Sequence, residues 1–109
     1  MDKQRRNHFR ITYPANDRPT LHIDGHRYEI IDLSEEGLRF QGTSPSLALV
    51  GTPISGEIRF PEGRKVDIRG TVLRTERGKS IVKLAPAIPL SIIIAEQQRL
   101  NRRYYLRAS

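Results

Sequence analysis

The sequence predicts a mainly all-β fold, a six-stranded antiparallel small β-barrel with a flexible basic N-terminal arm and one C-terminal α-helix. Short runs of alternating apolar and polar residues follow one another, and turn residues separate them every ~8–12 residues. An apolar pattern of helical period follows the last run. At 109 residues the chain is expected to form one domain with a single modest core. The arm is assigned to 1–19, the barrel to 20–86, and the helix with its tail to 87–109.

The predicted strands begin at Thr20. Asp24-Gly25 joins the first two, and this pair tolerates the positive φ of a tight hairpin turn. Gly70 interrupts the alternation of a later strand, which predicts a bend or a close backbone approach there. The long stretch from Thr43 to Thr52 is expected to be a connection. The six predicted strands are 21–23, 26–33, 38–41, 54–60, 65–74 and 80–84.

The two ends of the chain differ from the barrel. Residues 1–19 lack periodicity, so we expect an irregular arm that is mobile when no ligand is bound. A helix is expected over about 90–104, because Pro89 suits its first turn. Its apolar face is predicted to cover one end of the barrel, although the width of the apolar run 92–94 leaves a dimer contact open. The face contains Ile92, Ile93, Leu100 and Tyr104, while Glu96, Arg99, Arg102 and Arg103 fall mostly elsewhere.

The composition excludes several classes of protein. The chain has no cysteine, which removes disulfides, thiol catalysis and thiolate metal sites. It has no apolar run of about 18 residues, so a transmembrane helix is not expected. Its N-terminus is charged and no hydrophobic region follows, so a secretory signal is not expected either. We therefore predict a soluble cytoplasmic protein.

The charge indicates a phosphate-bearing partner. The net charge is +7, from 19 Lys and Arg against 12 Asp and Glu, and 15 of the 19 cations are arginines. The planar fork of donors on arginine suits phosphate and the edge of guanine, whereas a surface needed only for solubility would be served equally well by lysine.

Catalysis and metal binding have little support. His22 and His26 flank the first hairpin turn, but a turn with polar ends explains them equally well. Ser34, His8 and Asp32 are the residue types of a hydrolase triad, yet no strand–nucleophile–helix turn surrounds Ser34. The stretch 51–56 lacks the ending of a phosphate-binding loop. We expect no enzyme, no metal and no cofactor.

Two motifs remain, Arg6-x-x-x-Arg10 in the arm and Asp32-x-Ser34-x-x-Gly37 at a turn between strands, 22 residues further on. In this order they resemble the RxxxR and [D/N]xSxxG motifs of the PilZ domain, a bacterial receptor for cyclic di-GMP. The resemblance covers essentially the whole chain, no motif position departs from it, and it implies the same barrel, arm and helix.

The resemblance implies a ligand site at Arg6, Arg10, Asp32, Ser34 and Gly37. The arginines can make paired hydrogen bonds to phosphate or to guanine O6 and N7. The Asp32 carboxylate would accept from guanine N1–H and N2–H, and the Ser34 hydroxyl would donate. Gly37 would let the ligand approach closely, and it can take positive φ.

Three further arginines extend the predicted site. Arg5 directly precedes the first motif, and an arginine there resembles family members that bind two intercalated ligand molecules. Arg39 and Arg74 lie near the expected rim of the barrel, where each either lines the pocket or is a solvated charge.

We expect the ligand to order the arm against the Asp32–Gly37 turn and so change the surface that a downstream protein meets. The helix face and the 43–52 connection are the predicted contact surfaces, and the resemblance allows roles in motility, exopolysaccharide synthesis or pilus control. The alternative is a small basic barrel that binds single-stranded nucleic acid. Such proteins usually offer stacking aromatic side chains in a basic groove, and the aromatic residues here are few and scattered.

Overall fold

The computed structural model describes residues 10–105, with only the backbone of Tyr105. It is mostly strand, followed by one helix and a short π-helical turn at Asn101–Tyr105. The strands are β1 (Ile11–Thr12), β2 (Thr20–Ile23), β3 (His26–Ser34), β4 (Gly37–Gln41), β5 (Pro53–Arg59), β6 (Lys65–Glu76) and β7 (Lys79–Leu84), and the helix is α1 (Leu90–Leu100). No helix in the described part of the chain is long and apolar enough to cross a membrane.

Six strands close into the predicted antiparallel barrel. Their order is β3-β2-β5-β6-β7-β4, and β4 pairs back with β3, so the ring has no open edge. β1 is an additional strand that pairs only with β3. The sequence does not predict it, because two residues are too few to show an alternation of apolar and polar side chains.

The turns and the interior follow from particular residues. Asp24 and Gly25 have φ of 47° and 79°, so the first hairpin turn uses the predicted pair. The interior is apolar, and Phe40, Ile58 and Val82 are fully buried within it. A Cβ at Gly70 would lie against the Lys83 carbonyl oxygen, which confirms the predicted close backbone approach.

The segment expected to be an irregular arm is part of the fold from Ile11 onward. Ile11 and Tyr13 are buried in the core cluster, and the Asp17 side chain is buried as well. Tyr13 N–H donates to the Ile31 carbonyl at 2.9 Å, which continues the β1–β3 pairing. The prediction that irregular structure extends to residue 19 was therefore wrong, because β1 begins at Ile11. Residues 1–9 lie outside the described part of the chain.

The C-terminal helix begins directly after Pro89, as predicted. Ile93 and Leu100 are buried in the barrel core, and Ile92 and Tyr104 pack against it while remaining partly exposed. The prediction that Glu96 lies away from the buried face of the helix was wrong, because its side chain is only 1% exposed.

A network of buried polar side chains explains why Glu96 is tolerated there. Tyr13 Oη donates to Glu96 Oε1 at 2.8 Å, and Arg99 Nε donates to Glu96 Oε2 at 2.9 Å. Arg99 also donates from Nη1 to both oxygens of Asp17, at 3.0 and 3.1 Å. Buried carboxylates are costly unless they are paired and hydrogen-bonded, and this network meets both conditions. It therefore holds α1 against the segment that contains β1.

Tyr13→Phe is expected to make the stability of the protein less sensitive to alkaline pH. Burial, together with the nearby Glu96 carboxylate, raises the pKa of Tyr13, so the folded state holds this proton more tightly than the unfolded state. The contribution of this pKa difference to the free energy of unfolding is complete below the unfolded pKa of about 10 and is lost as the pH rises above it. Denaturant unfolding at about pH 8 and about pH 11 should show a larger loss of unfolding free energy for the native protein than for the variant. Equal losses of unfolding free energy in the two proteins would show that Tyr13 does not cause this pH dependence.

Candidate functional site

One row of side chains crosses four neighbouring strands on the outside of the barrel. Asp32 of β3 pairs with Arg39 of β4, and Arg39 pairs with Ile81 of β7. Ile81 in turn pairs with Arg74 of β6. Paired residues of adjacent strands point to the same face, so the register alone brings together Asp32 and two arginines that are far apart in the sequence.

A β-bulge in β3 turns Asp32 outward. The register passes from Ile30, opposite Phe40, to Asp32, opposite Arg39, and so skips Ile31. Since Ile30 faces the core, strict alternation would also have pointed Asp32 inward. The extra residue reverses this and places the carboxylate on the outer face beside Arg39.

A second bulge, in β6, does the same for Arg74. The register passes from Val72, opposite Val82, to Arg74, opposite Ile81, and so skips Leu73. Val72 is buried, so strict alternation would have pointed Arg74 into the barrel. Leu73 is left on the outside with 46% of its surface exposed.

Neither bulge was predicted, although the sequence holds a signal for both. In each case two β-forming apolar residues stand together and a charged residue follows, in Ile30-Ile31-Asp32 and in Val72-Leu73-Arg74. Two adjacent apolar residues in an otherwise alternating strand mark a position where one of them can be an extra, bulged residue. The residue after the bulge then points to the opposite face from the one that strict alternation predicts.

Asp32 is the centre of the site. Its side chain is 1% exposed and accepts hydrogen bonds at both oxygens. Arg10 Nη1 donates to Oδ1 at 3.0 Å, from the position directly before β1. Arg39 donates to Oδ2 from Nε at 3.0 Å and from Nη2 at 2.6 Å. One buried carboxylate thus orients two partly exposed guanidinium groups.

The Ser34–Gly37 turn forms one end of the site. Ser34 Oγ donates to the Gly37 carbonyl at 3.3 Å, and the two residues close the β3–β4 pairing. The carbonyls of Glu35 and Glu36 accept from the backbone of Ile88 and Leu84 at 2.8 and 2.9 Å, which fixes the turn to the barrel. Gly37 does not use positive φ, and a Cβ there would meet nothing closer than 3.5 Å. The fold does not require glycine at this position.

These residues line a groove of about 500 Å³, within the range of roughly 300–1,000 Å³ usual for small-molecule sites. It contains every predicted site residue in the described part of the chain, namely Arg10, Asp32, Ser34, Gly37, Arg39 and Arg74. Lys83 and Leu73 also line it and were not predicted. Arg5 and Arg6 lie outside the described residues. Among the residues that the structure describes, four cations thus face this groove with two carboxylates, Asp32 and Glu36.

A larger groove of about 770 Å³ lies over β2, β5 and β6. Its lining mixes both signs of charge and includes His22, Asp24, Glu57, Arg59, Asp67 and Arg69. Since three carboxylates stand there beside the cations, it is less suited to an anion than the groove at Asp32. Between residues 10 and 105, no group of three His, Asp or Glu side chains is arranged to hold a metal ion.

Comparison with protein families agrees with the motifs and the fold. A family model described as "PilZ domain" matches residues 4–106, which is nearly the whole chain. A search of curated proteins found no match.

Gly37→Ala is expected to leave the free energy of unfolding unchanged or slightly raised. A Cβ there makes only ordinary contacts, and alanine loses less conformational freedom on folding than a strand glycine does. Gly70→Ala is the matched comparison, since its Cβ would strike the β7 backbone, and it should lower the unfolding free energy by about 1–3 kcal/mol. Denaturant unfolding of both variants tests this. A large loss in Gly37→Ala would show that the fold itself needs this glycine.

Proposed function

The chain belongs to the PilZ domain family, whose members are in general receptors for cyclic di-GMP, and from that premise we propose that the groove at Asp32 binds this ligand. The family is a ligand-binding one and not a catalytic one. Like the composition, this favours a signalling role over an enzymatic one, and we place the protein in the cytoplasm.

The grouping of cations around an apolar floor is the observation that carries the proposal. Arg39 and Arg74 stand on either side of Ile81, on strands separated by β7. Arginine forks suit the phosphates and the guanine edges of the ligand. The flat faces of the bases match the apolar surface of Ile81 and Leu73, while Gly37 leaves room at the end of the groove.

The proposed switch lies before Arg10. Arg10 is held to Asp32, and Ile11 is buried, so the described part of the chain is anchored from this point onward. Arg5 and Arg6 precede it, and we expect them to close over the ligand once its negative charge offsets their mutual repulsion. An ordering of residues 1–9 would then change the surface next to the groove.

We expect a second protein to recognise the changed surface by binding to it. Leu49 and Val50 are 72% and 71% exposed at the tip of the 43–52 connection, and the outer face of α1 exposes Leu90 and Ile94 by 41% and 38%. Exposed apolar side chains of this kind are common at protein contacts. The family permits a partner in motility, exopolysaccharide synthesis or pilus control.

Single-stranded nucleic acid has less support as a ligand. No described residue that lines the groove is aromatic, and Phe40 and Phe60 are buried in the core. Tyr28 packs on Phe40 with ring centroids 4.8 Å apart. Among residues 10–105, therefore, the groove has no stacking platform for unpaired bases. Strongly salt-dependent binding of an oligonucleotide, unaffected by cyclic di-GMP, would favour this alternative.

Calorimetric titration with cyclic di-GMP should show binding by the native protein and weaker binding by Arg10→Ala. Losing one charge-assisted hydrogen bond is expected to cost about 1.5–3 kcal/mol, or about 10- to 150-fold in Kd. Arg59→Ala is the matched control, because Arg59 lines the other groove, and it should leave binding unchanged.

No measurable binding by the native protein, or an undiminished affinity of Arg10→Ala, would overturn the proposal. The same titration gives the stoichiometry. Two ligands per chain are expected if Arg5 acts as its position implies, and a value of one would remove that part of the proposal alone.

A further inference from the structure

We infer that the outer face of α1 is an interface between two copies of this chain, which pair their helices in antiparallel directions. This pairing goes beyond the proposed function, because it needs no ligand. The sequence left a dimer contact open at the apolar run 92–94, and in the structure Ile93 is buried while Ile94 points outward.

The charged side chains of α1 point into the protein. They are Glu96, which is buried, and Arg99, whose side chain is only 17% exposed. Both belong to the network that contains Tyr13 and Asp17. A surface helix of a globular protein normally shows the reverse pattern, with its charges toward water and its apolar side chains toward the core.

The outer face of α1 is correspondingly free of charge. Leu90 and Ile94 are exposed large apolar side chains, and Ser91 and Gln98 are exposed beside them. Ala95 is half-buried at the edge of this face, and its small side chain lets another backbone come close. Since 28% of the chain is charged, an uncharged surface along a whole helix is a distinct feature. Depletion of charge of this kind is typical of the centre of a protein–protein interface.

The net charge favours a second copy as the occupant of this face. Two copies repel each other over most of their surface, because each has a net charge of +7, and the repulsion is weakest at an uncharged face. An acidic partner protein would instead be attracted to the basic surface elsewhere. In a two-fold dimer the same patch lies on both partners, so it must be complementary to itself. An uncharged patch meets that condition.

The two ends of the face add charges of opposite sign. Arg102 is exposed just after α1, and no described residue forms an ion pair with it. At the other end, the Glu35 carbonyl accepts from Ile88 N–H at 2.8 Å, so the turn that contains the exposed Glu36 lies just before the helix. Arg102 and Ile88 are equally far from Ala95 in the sequence. An antiparallel pair centred there brings each Arg102 to the acidic turn of the partner subunit.

The contact is small. α1 has 11 residues and is about 16 Å long, which is short for a stable interface of roughly 1,200–2,000 Å². We therefore expect a weak dimer that exchanges with the monomer and depends on the protein concentration.

Sedimentation velocity of the full chain without ligand, from micromolar to millimolar concentration, tests the interface. The native protein should shift from monomer toward dimer as its concentration rises. Ile94→Lys should raise the dimer Kd by about tenfold or more, because it places two cations in the centre of the contact. Leu49→Lys is the matched control: Leu49 is an exposed apolar residue in the 43–52 connection, so the dimer Kd should stay as in the native protein.

A charge reversal tests the antiparallel arrangement. Arg102→Glu and Glu36→Arg each bring like charges together at both ends of the contact, so each alone should weaken the dimer severalfold. The variant with both changes restores opposite charges and should recover the native Kd. The two single variants change the net charge in opposite directions, so a loss in both cannot come from net charge.

Three results overturn the inference. A protein that stays monomeric at every concentration has no such interface. A dimer that Ile94→Lys and Leu49→Lys weaken equally does not use α1. If denaturant unfolding shows that Ile94→Lys does not fold, the charge reversal decides, and a double variant that fails to recover the dimer contradicts the antiparallel pairing. No ligand is present in these measurements, so failure to bind cyclic di-GMP defeats the proposed function alone.

Discussion

The site depends on one buried charge. Asp32 is almost fully shielded from water, so its ionised carboxylate must be paired, and Arg10 and Arg39 supply the partners. This need ties three parts of the chain together: the residue before β1, the bulged end of β3 and the middle of β4. The guanidinium groups remain partly exposed while their partner is covered. The pairing that the buried Asp32 carboxylate requires therefore places two guanidinium groups on the rim of a groove.

The closed barrel gives this arrangement its rigidity. Because β4 pairs with both β3 and β7, Arg39 stands between Asp32 and Ile81 on a strand that is held on both sides. At the other end of β1, Tyr13 reaches Glu96, so the segment that presents Arg10 is also held by α1. The groove is thus built on strands and a fixed turn.

Much of this was predictable from the sequence, because local patterns carry it. Alternating apolar residues predicted six strands, Asp24-Gly25 predicted a hairpin, and the paired motifs predicted Arg10, Asp32, Ser34 and Gly37 as neighbours. What was missed depends on pairing between distant segments. The register with the opposite strand fixes the bulges at Ile31 and Leu73, where the sequence has only a weak local signal. β1 is too short to show a period, and Glu96 is buried because Tyr13 and Arg99 meet it. Each case depends on a contact between segments that are distant in the sequence, which no local pattern of apolar and polar residues defines.

A titration of the ¹⁵N-labelled full chain with cyclic di-GMP, followed by amide chemical shifts, would locate the bound ligand on the protein. If the ligand binds in the groove at Asp32, the largest shift changes fall along the row of paired strands, at Asp32, Arg39, Leu73, Arg74 and Ile81, with Arg10 and Gly37 at its end. Largest changes at His22, Glu57 and Asp67, with no change along the row, would place the ligand in the other groove and contradict binding at Asp32.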